Sequence, residues 1–225
     1  VGEGTVAHLA CATSGELSGD DPSADPLEIA ARQEAAQRTS AEAAGYEGVT
    51  FLHRPVGALA NDLALREQLV RVIRTFRPDA VAAPDPRVFI HGRGFINHVD
   101  HRQAGAAAVD AVYPAAENAM AFPNLVRSEG LQPHKVRRLF LFGSEKSDTA
   151  VDISASLEIK LRAKALRGPK VQFQNQRLFL EMPTQERDPG EGVPGTVCAG
   201  AGREVPVGAA DTAVVQPKRR DARPG

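Results

Sequence analysis

The chain has 225 residues with 27 Lys and Arg against 28 Asp and Glu, so its net charge of −1 builds no global field that would recruit nucleic acid or an anionic membrane. Hydrophobic residues make up 42%, enough for one core of ordinary size, although much of this is Ala and Trp is absent. The longest apolar runs are far too short to span a bilayer, and the two cysteines, Cys11 and Cys198, make no disulfide framework; a reducing, cytoplasmic compartment is expected. In chain order, residues 5–12 read as a buried strand, 13–16 as a turn and 17–26 as a loop. An Ala-rich helix over about 26–44 stops at Gly45. Residues 49–52 form a short β-prone run. Asn61 then caps a helix carrying Leu65, Leu69, Val72, Ile73 and Phe76 at helical spacing, which Pro78 ends. A short strand, 80–83, is stopped by Pro84-Asp85-Pro86 and followed by a long loop to residue 100. A third helix runs from His101 to about Tyr113. Residues 138–142 are a further strand and 152–167 a last helix, with Ile153, Leu157 and Leu161 on one face.

Strands alternating with helices predict an α/β fold: a Rossmann-like, mainly parallel sheet with helices on both faces. Ligands in such sheets sit beyond the C-terminal strand ends, where the turn 13–16 and the loop 84–100 fall. The chain starts at Val1 without Met and runs almost at once into a strand, so a preceding portion is expected and the fold is read as incomplete at the N-terminus. Residues 1–172 are expected to form one domain and 173–225 a poorly structured Gly/Pro/Arg-rich tail. From Glu181 onward there is no Leu, Ile or aromatic residue to bury. The basic end from Lys218 reads as a solvated tail.

The densest chemistry is His98-Val99-Asp100-His101, two imidazoles and a carboxylate within four residues. Neutral imidazole is the commonest side-chain metal ligand, and a neighbouring carboxylate orients such a ring. Equally, Asp100 with Gln103 makes an N-cap and capping-box pair, with the histidines merely flanking a helix start. The two roles are compatible. His91, in Ile90-His91-Gly92-Arg93-Gly94, is a substrate contact or a plain loop histidine. His8 alternates with apolar residues and reads as structural, His53 follows a strand end and lines the pocket or the surface, and His134 reads as a loop residue. Glu16 and Arg32 border the pocket or form solvated salt bridges. There is no Gly-x-Gly-x-x-Gly, no P-loop and no Gly-x-Ser-x-Gly elbow.

Several segments together resemble the PIG-L/LmbE-type zinc-dependent de-N-acetylases: Cys11-Ala12-Thr13-Ser14-Gly15-Glu16, the helix around Arg32, Gly57-Ala58-Leu59, Arg77-Pro78-Asp79-Ala80-Val81, Asn97-His98-Val99-Asp100-His101-Arg102 and Ala111-Val112-Tyr113-Pro114. The resemblance covers about residues 4–167. It implies hydrolysis of an acetamide on an N-acetylglucosaminyl conjugate, with a thiol-cofactor precursor bearing a sugar–inositol unit as one substrate by family analogy. The partner is a small N-acetylated amino sugar; the oligomeric state stays open. It also implies a Zn2+ held by two histidines, an aspartate and water. His101 would be a zinc ligand, His98 would face the substrate carbonyl and leaving amine, and Asp100 would orient a histidine. The family's His-Pro-Asp-Asp motif, which carries the other ligands and the general base, is expected upstream of Val1 and does not occur in these residues. The chain as given is therefore expected to be inactive, because a lone histidine does not hold zinc tightly. Val56 stands where the family commonly has an acid that contacts substrate. Gly168-Pro169-Lys170-Val171-Gln172 replaces a His-x-Ser-Gln-like segment, and loss of family character beyond it suggests a shifted reading frame. A non-catalytic sugar- or metabolite-binding protein on the same scaffold is the alternative.

Overall fold

The computed structural model describes residues 5–92, 94–167 and 211–217. Its strands are β1 (Thr5–Thr13), β2 (Gly48–Arg54), β3 (Ala80–Pro84), β4 (Ile90–His91), β5 (Phe95–Ile96), β6 (Arg138–Phe142) and β7 (Asp211–Pro217). Its α-helices are α1 (Pro26–Ala43), α2 (Leu63–Phe76), α3 (Val99–Asp110), α4 (Pro123–Arg127) and α5 (Leu157–Ala165). The main sheet has the order β2-β1-β7-β3-β6, and β4 and β5 form a separate hairpin. β1 runs parallel to β2 and β3 parallel to β6, as the α/β reading requires. β7 lies antiparallel between β1 and β3. The tail expected from residue 173 falls largely outside the described residues; inside them, the β-prone run Thr212-Ala213-Val214-Val215 is part of a strand. No helix among the described residues is long and apolar enough to cross a membrane.

Strand alternation sends the side chains of β1 to two layers. Leu9 and Cys11 pack with Ala41, Tyr46, Val49 and Phe51 on the α1 side. Ala10 and Ala12 join Leu65, Leu69, Val70, Ile73, Val81, Ala104 and Ala107 on the side of α2 and α3. With both faces covered, β1 is buried from Ala7 to Thr13, which is why it reads as a continuous apolar run.

The helix starts carry one correction. Asp62, not Asn61, caps α2, accepting Leu65 N–H at 2.7 Å. Asn61 is engaged elsewhere, donating from Nδ2 to Asp110 Oδ2 at 2.8 Å and accepting from Arg66 Nε at 2.7 Å. The end of α2 follows the sequence, with Arg77 in the left-handed region at φ 49° just before Pro78. Arg74 is buried, and its guanidinium donates to the carbonyls of Ala115, Ala116, Asn118 and Ala121. These carbonyls belong to the segment where the chain leaves helical geometry at Tyr113 (φ −141°, ψ 130°) ahead of Pro114.

Gly105 sets the height of α3 on the sheet. A Cβ there would lie 2.1 Å from the Pro84 carbonyl oxygen at the end of β3. Only glycine lets the helix approach this closely. The first turn of α3 consequently lies at the C-terminal edge of the sheet, where it meets the loop following β2.

Candidate functional site

The start of α3 differs from its sequence reading in a way that matters for chemistry. The helix begins at Val99, and His98 is its cap, with Nδ1 accepting Asp100 N–H at 3.2 Å. The Asp100 carboxylate is buried and accepts Gly57 N–H at 2.8 Å and Leu59 N–H at 3.3 Å. Gln103 Oε1 accepts Asn61 N–H at 3.0 Å. The expected capping box is thus replaced by a stitch that ties the loop 57–61 to α3. Loop amides that need acceptors compete successfully with the helix's own first turn.

This arrangement orients His98. With Nδ1 accepting a backbone N–H, the neutral ring carries its hydrogen on Nε2. Its side chain is 33% exposed, and an Asp100 oxygen stands 3.6 Å from Nδ1. His101 is buried, its ring edge-on to that of His98 with centroids 6.2 Å apart. The two histidines therefore do come together, as their spacing suggests.

His91 sits on β4, and its ring contact is with Phe95, at 6.0 Å between centroids. The β4–β5 hairpin that carries it escaped the sequence reading because each strand is only two residues long. Asn97 anchors this hairpin by donating from Nδ2 to Val88 O and from its backbone N–H to Phe89 O, each at 2.8 Å. Arg102, on α3, stacks its guanidinium 4.7 Å from the centre of the Phe89 ring. At the loop's beginning, buried Asp85 accepts from Arg87 Nε at 2.9 Å, Nη2 at 2.7 Å and backbone N–H at 3.0 Å. Those bonds hold its carboxyl down at about 2.

The strand ends beside α3 are also tied. Glu16 Oε1 accepts Val56 N–H at 2.6 Å, so a carboxylate reaches the position where Val56 has no side-chain acceptor. Ser14, Glu34 and His53 form a hydrogen-bonded group at the ends of β1 and β2. Arg32 is exposed on α1. His8 is structural as expected, with Nε2 2.8 Å from Thr50 Oγ1, its ring stacked on Phe76 and its pKa pushed down by burial. His134 is a tie rather than a plain loop residue, placing Nε2 2.7 Å from Pro78 O. Sequence spacing carried no signal for the Ser14–Glu34–His53 group, whose members lie 20 and 39 residues from Ser14.

Among the described residues, no group of three or more His, Cys, Asp or Glu side chains is arranged to hold a metal ion. The Asp100 carboxylate is engaged by loop amides, which leaves His101 as a single buried imidazole. Zinc requires three or four protein ligands, so the described residues do not fit the ion on their own.

Residues 1–112 match the PIG-L family, described as GlcNAc-PI de-N-acetylase. Residues 1–112 thus form a PIG-L family domain. It is 34% identical over 154 residues to the diacetylchitobiose deacetylase of Thermococcus kodakarensis, a match covering 67% of this chain and 51% of the relative. The chain thus spans about half the length of that curated PIG-L relative. The solved N,N'-diacetylchitobiose deacetylase of Pyrococcus horikoshii, in complex with an inhibitor, superposes with a TM-score of 0.65 at 27% identity, covering 76% of this chain and 63% of that one. The 4-carboxy-2-hydroxymuconate hydratase GalB of Pseudomonas putida, at 15% identity and a TM-score of 0.59 over 97% of this chain and 86% of its own, shares the fold alone. One scaffold thus hosts different chemistries, and function has to be argued from the site.

Proposed function

We propose that the protein containing these residues hydrolyses the acetamide of an N-acetylglucosaminyl conjugate, with a diacetylchitobiose-like disaccharide as the substrate class. The observation that carries this is the oriented His98 beside buried His101 at the start of α3, in a chain 34% identical to a diacetylchitobiose deacetylase. In amide hydrolysis water adds to the carbonyl carbon, the oxygen gains negative charge, and the amine leaves with a proton. Nε2–H of His98 is the donor available for that oxygen. The N-terminus of α3 adds a positive dipole end that favours the same developing charge. Asp100 fixes the loop 57–59 against the helix and so keeps His98 in place. His101 would offer one imidazole to a zinc site.

The test is release of free amine from di-N-acetylchitobiose by the protein that contains these residues. His98→Ala is expected to lower turnover roughly 10²–10³-fold, the effect of losing one oxyanion donor, with the disaccharide still bound. Unchanged turnover in His98→Ala would refute the role. The lack of a three-ligand metal group among the described residues favours a second function, a sugar-binding protein on the same scaffold. Tight disaccharide binding without amine release would select it.

A further inference from the structure

Three polar side chains meet at the ends of β1 and β2. The Ser14 hydroxyl donates to Glu34 Oε1 on α1 at 2.6 Å. His53 Nδ1 stands 3.1 Å from Ser14 Oγ and 3.2 Å from Glu34 Oε1. With its own proton on Glu34, the Ser14 oxygen can only accept, so His53 Nδ1 carries the ring hydrogen. In the neutral imidazole this leaves Nε2 as an acceptor, and the side chain is 67% exposed. A hydroxyl and a carboxylate thus aim an open imidazole lone pair outward, the arrangement that positions histidines for binding or proton transfer.

The backbone is specialised at the same residue. The β1–β2 register slips between Cys11 and Thr13, so Leu52 and His53 together oppose Ala12. His53 itself sits at φ 52°, in the left-handed region. Bulges re-aim side chains beside ligand sites, and left-handed non-glycine residues concentrate there. The location agrees, because this is the C-terminal edge of the sheet that also carries His98. From His53 the chain runs to Val56, held by Glu16, and to Gly57, held by Asp100. His53 and Gly57 are four residues apart, at most roughly 14 Å of chain. That upper bound leaves His53 within reach of a second sugar ring of a disaccharide seated at the start of α3.

Building on the deacetylase function above, we propose that His53, oriented by Ser14 and Glu34, is a specificity-determining residue. Its Nε2 accepts a hydrogen bond from a hydroxyl on the second ring of an N-acetylated amino-sugar disaccharide, whose first ring presents its acetamide to His98. Binding to this position needs neither metal nor turnover.

The 225-residue chain is titrated with di-N-acetylchitobiose and with N-acetylglucosamine, following chemical shifts, and melting temperature is recorded in parallel. Wild type is expected to prefer the disaccharide. His53→Gly, which adopts φ 52° without strain, is expected to lose about tenfold in disaccharide affinity, the worth of one hydrogen bond. Its monosaccharide affinity and melting temperature should not fall. His53→Gln, whose amide oxygen can accept, is expected to restore part of the preference. An unchanged disaccharide-to-monosaccharide ratio in His53→Gly would overturn the assignment and leave the deacetylase function standing. A parallel loss for both sugars with a lower melting temperature would mark the cluster as a structural tie and also overturn it. Binding of neither sugar by wild type would overturn the assignment, while the deacetylase function stands or falls by amine release from the protein that contains these residues.

Discussion

Gly105→Ala reports on the contact that positions the candidate site. In the middle of an exposed helix this substitution stabilises by about 1 kcal/mol, because Ala restricts the unfolded chain and favours helix. Here the added Cβ would stand 2.1 Å from the Pro84 oxygen, 3.1 Å from its carbonyl carbon and 3.3 Å from Pro86 Cδ. Two of these three atoms are backbone, so no side chain can swing aside. Restoring ordinary contact requires α3 and the end of β3 to separate by more than ~1 Å, against close packing on both sides. Overpacking of this kind costs roughly 1–3 kcal/mol and occasionally more. The obstacle is backbone, so the upper end of that range, about 3 kcal/mol, applies; with the helix-propensity gain subtracted, the expected net loss is about 2 kcal/mol, or about 4–8 °C in melting temperature for a chain of this size. Urea unfolding at constant slope measures it. Amide exchange at Gly57 and Leu59, whose N–H groups are held by Asp100 on α3, should quicken in step. The sign is decisive: a Gly105→Ala protein as stable as wild type, or more so, would refute the close approach of α3 to Pro84.

Arg74→Met keeps the apolar stem but strips donors from four main-chain carbonyls. A loss of about 3 kcal/mol is expected by urea unfolding, and a change within error would refute the carbonyl cage. Asp85, held at about 2 against an ordinary 3.8, contributes stability that is complete above the unfolded value and lost as pH falls through the folded one. In that window the unfolded state binds more protons, so stability rises with pH by about 2 kcal/mol in all. Asp85→Asn should abolish this slope, and an identical acid limb would count against the Arg87 bonds. His8, lowered by burial from 6.5, adds a further fall in stability as pH drops below that value, eased in part by Glu47. Because no three potential ligands come together among the described residues and zinc needs three or four, the 225-residue chain is expected to retain well under one zinc per molecule after dialysis against a mild chelator. Elemental analysis showing one tightly held zinc per chain would refute this.

Much of the fold was legible because its signals are local. The apolar run of β1, the helical spacing from Leu65 to Phe76, the stop at Pro78 and the proximity of His98 to His101 all follow from residues within a few positions of one another. Where distant groups intervene, local signals mislead. Asp100 and Gln103 carry a good capping-box pattern, yet their oxygens go to amides 41 to 43 residues away. Asn61 looks like a cap and instead braces Asp110 and Arg66, leaving the role to Asp62. Arg74 falls on the helical face that packs inward, but nothing in its spacing announces four carbonyl partners more than 40 residues on. The side-chain chemistry was therefore written in the chain: which groups can donate, accept or titrate, and which stretches favour helix or strand. Which donor meets which acceptor was decided only when the sheet formed. A buried amide must find a partner wherever packing brings one, and packing joins residues that sequence separates. The group of Ser14, Glu34 and His53 is the clearest case, since three ordinary surface-type residues acquire a common orientation solely because β1, α1 and β2 converge at one edge.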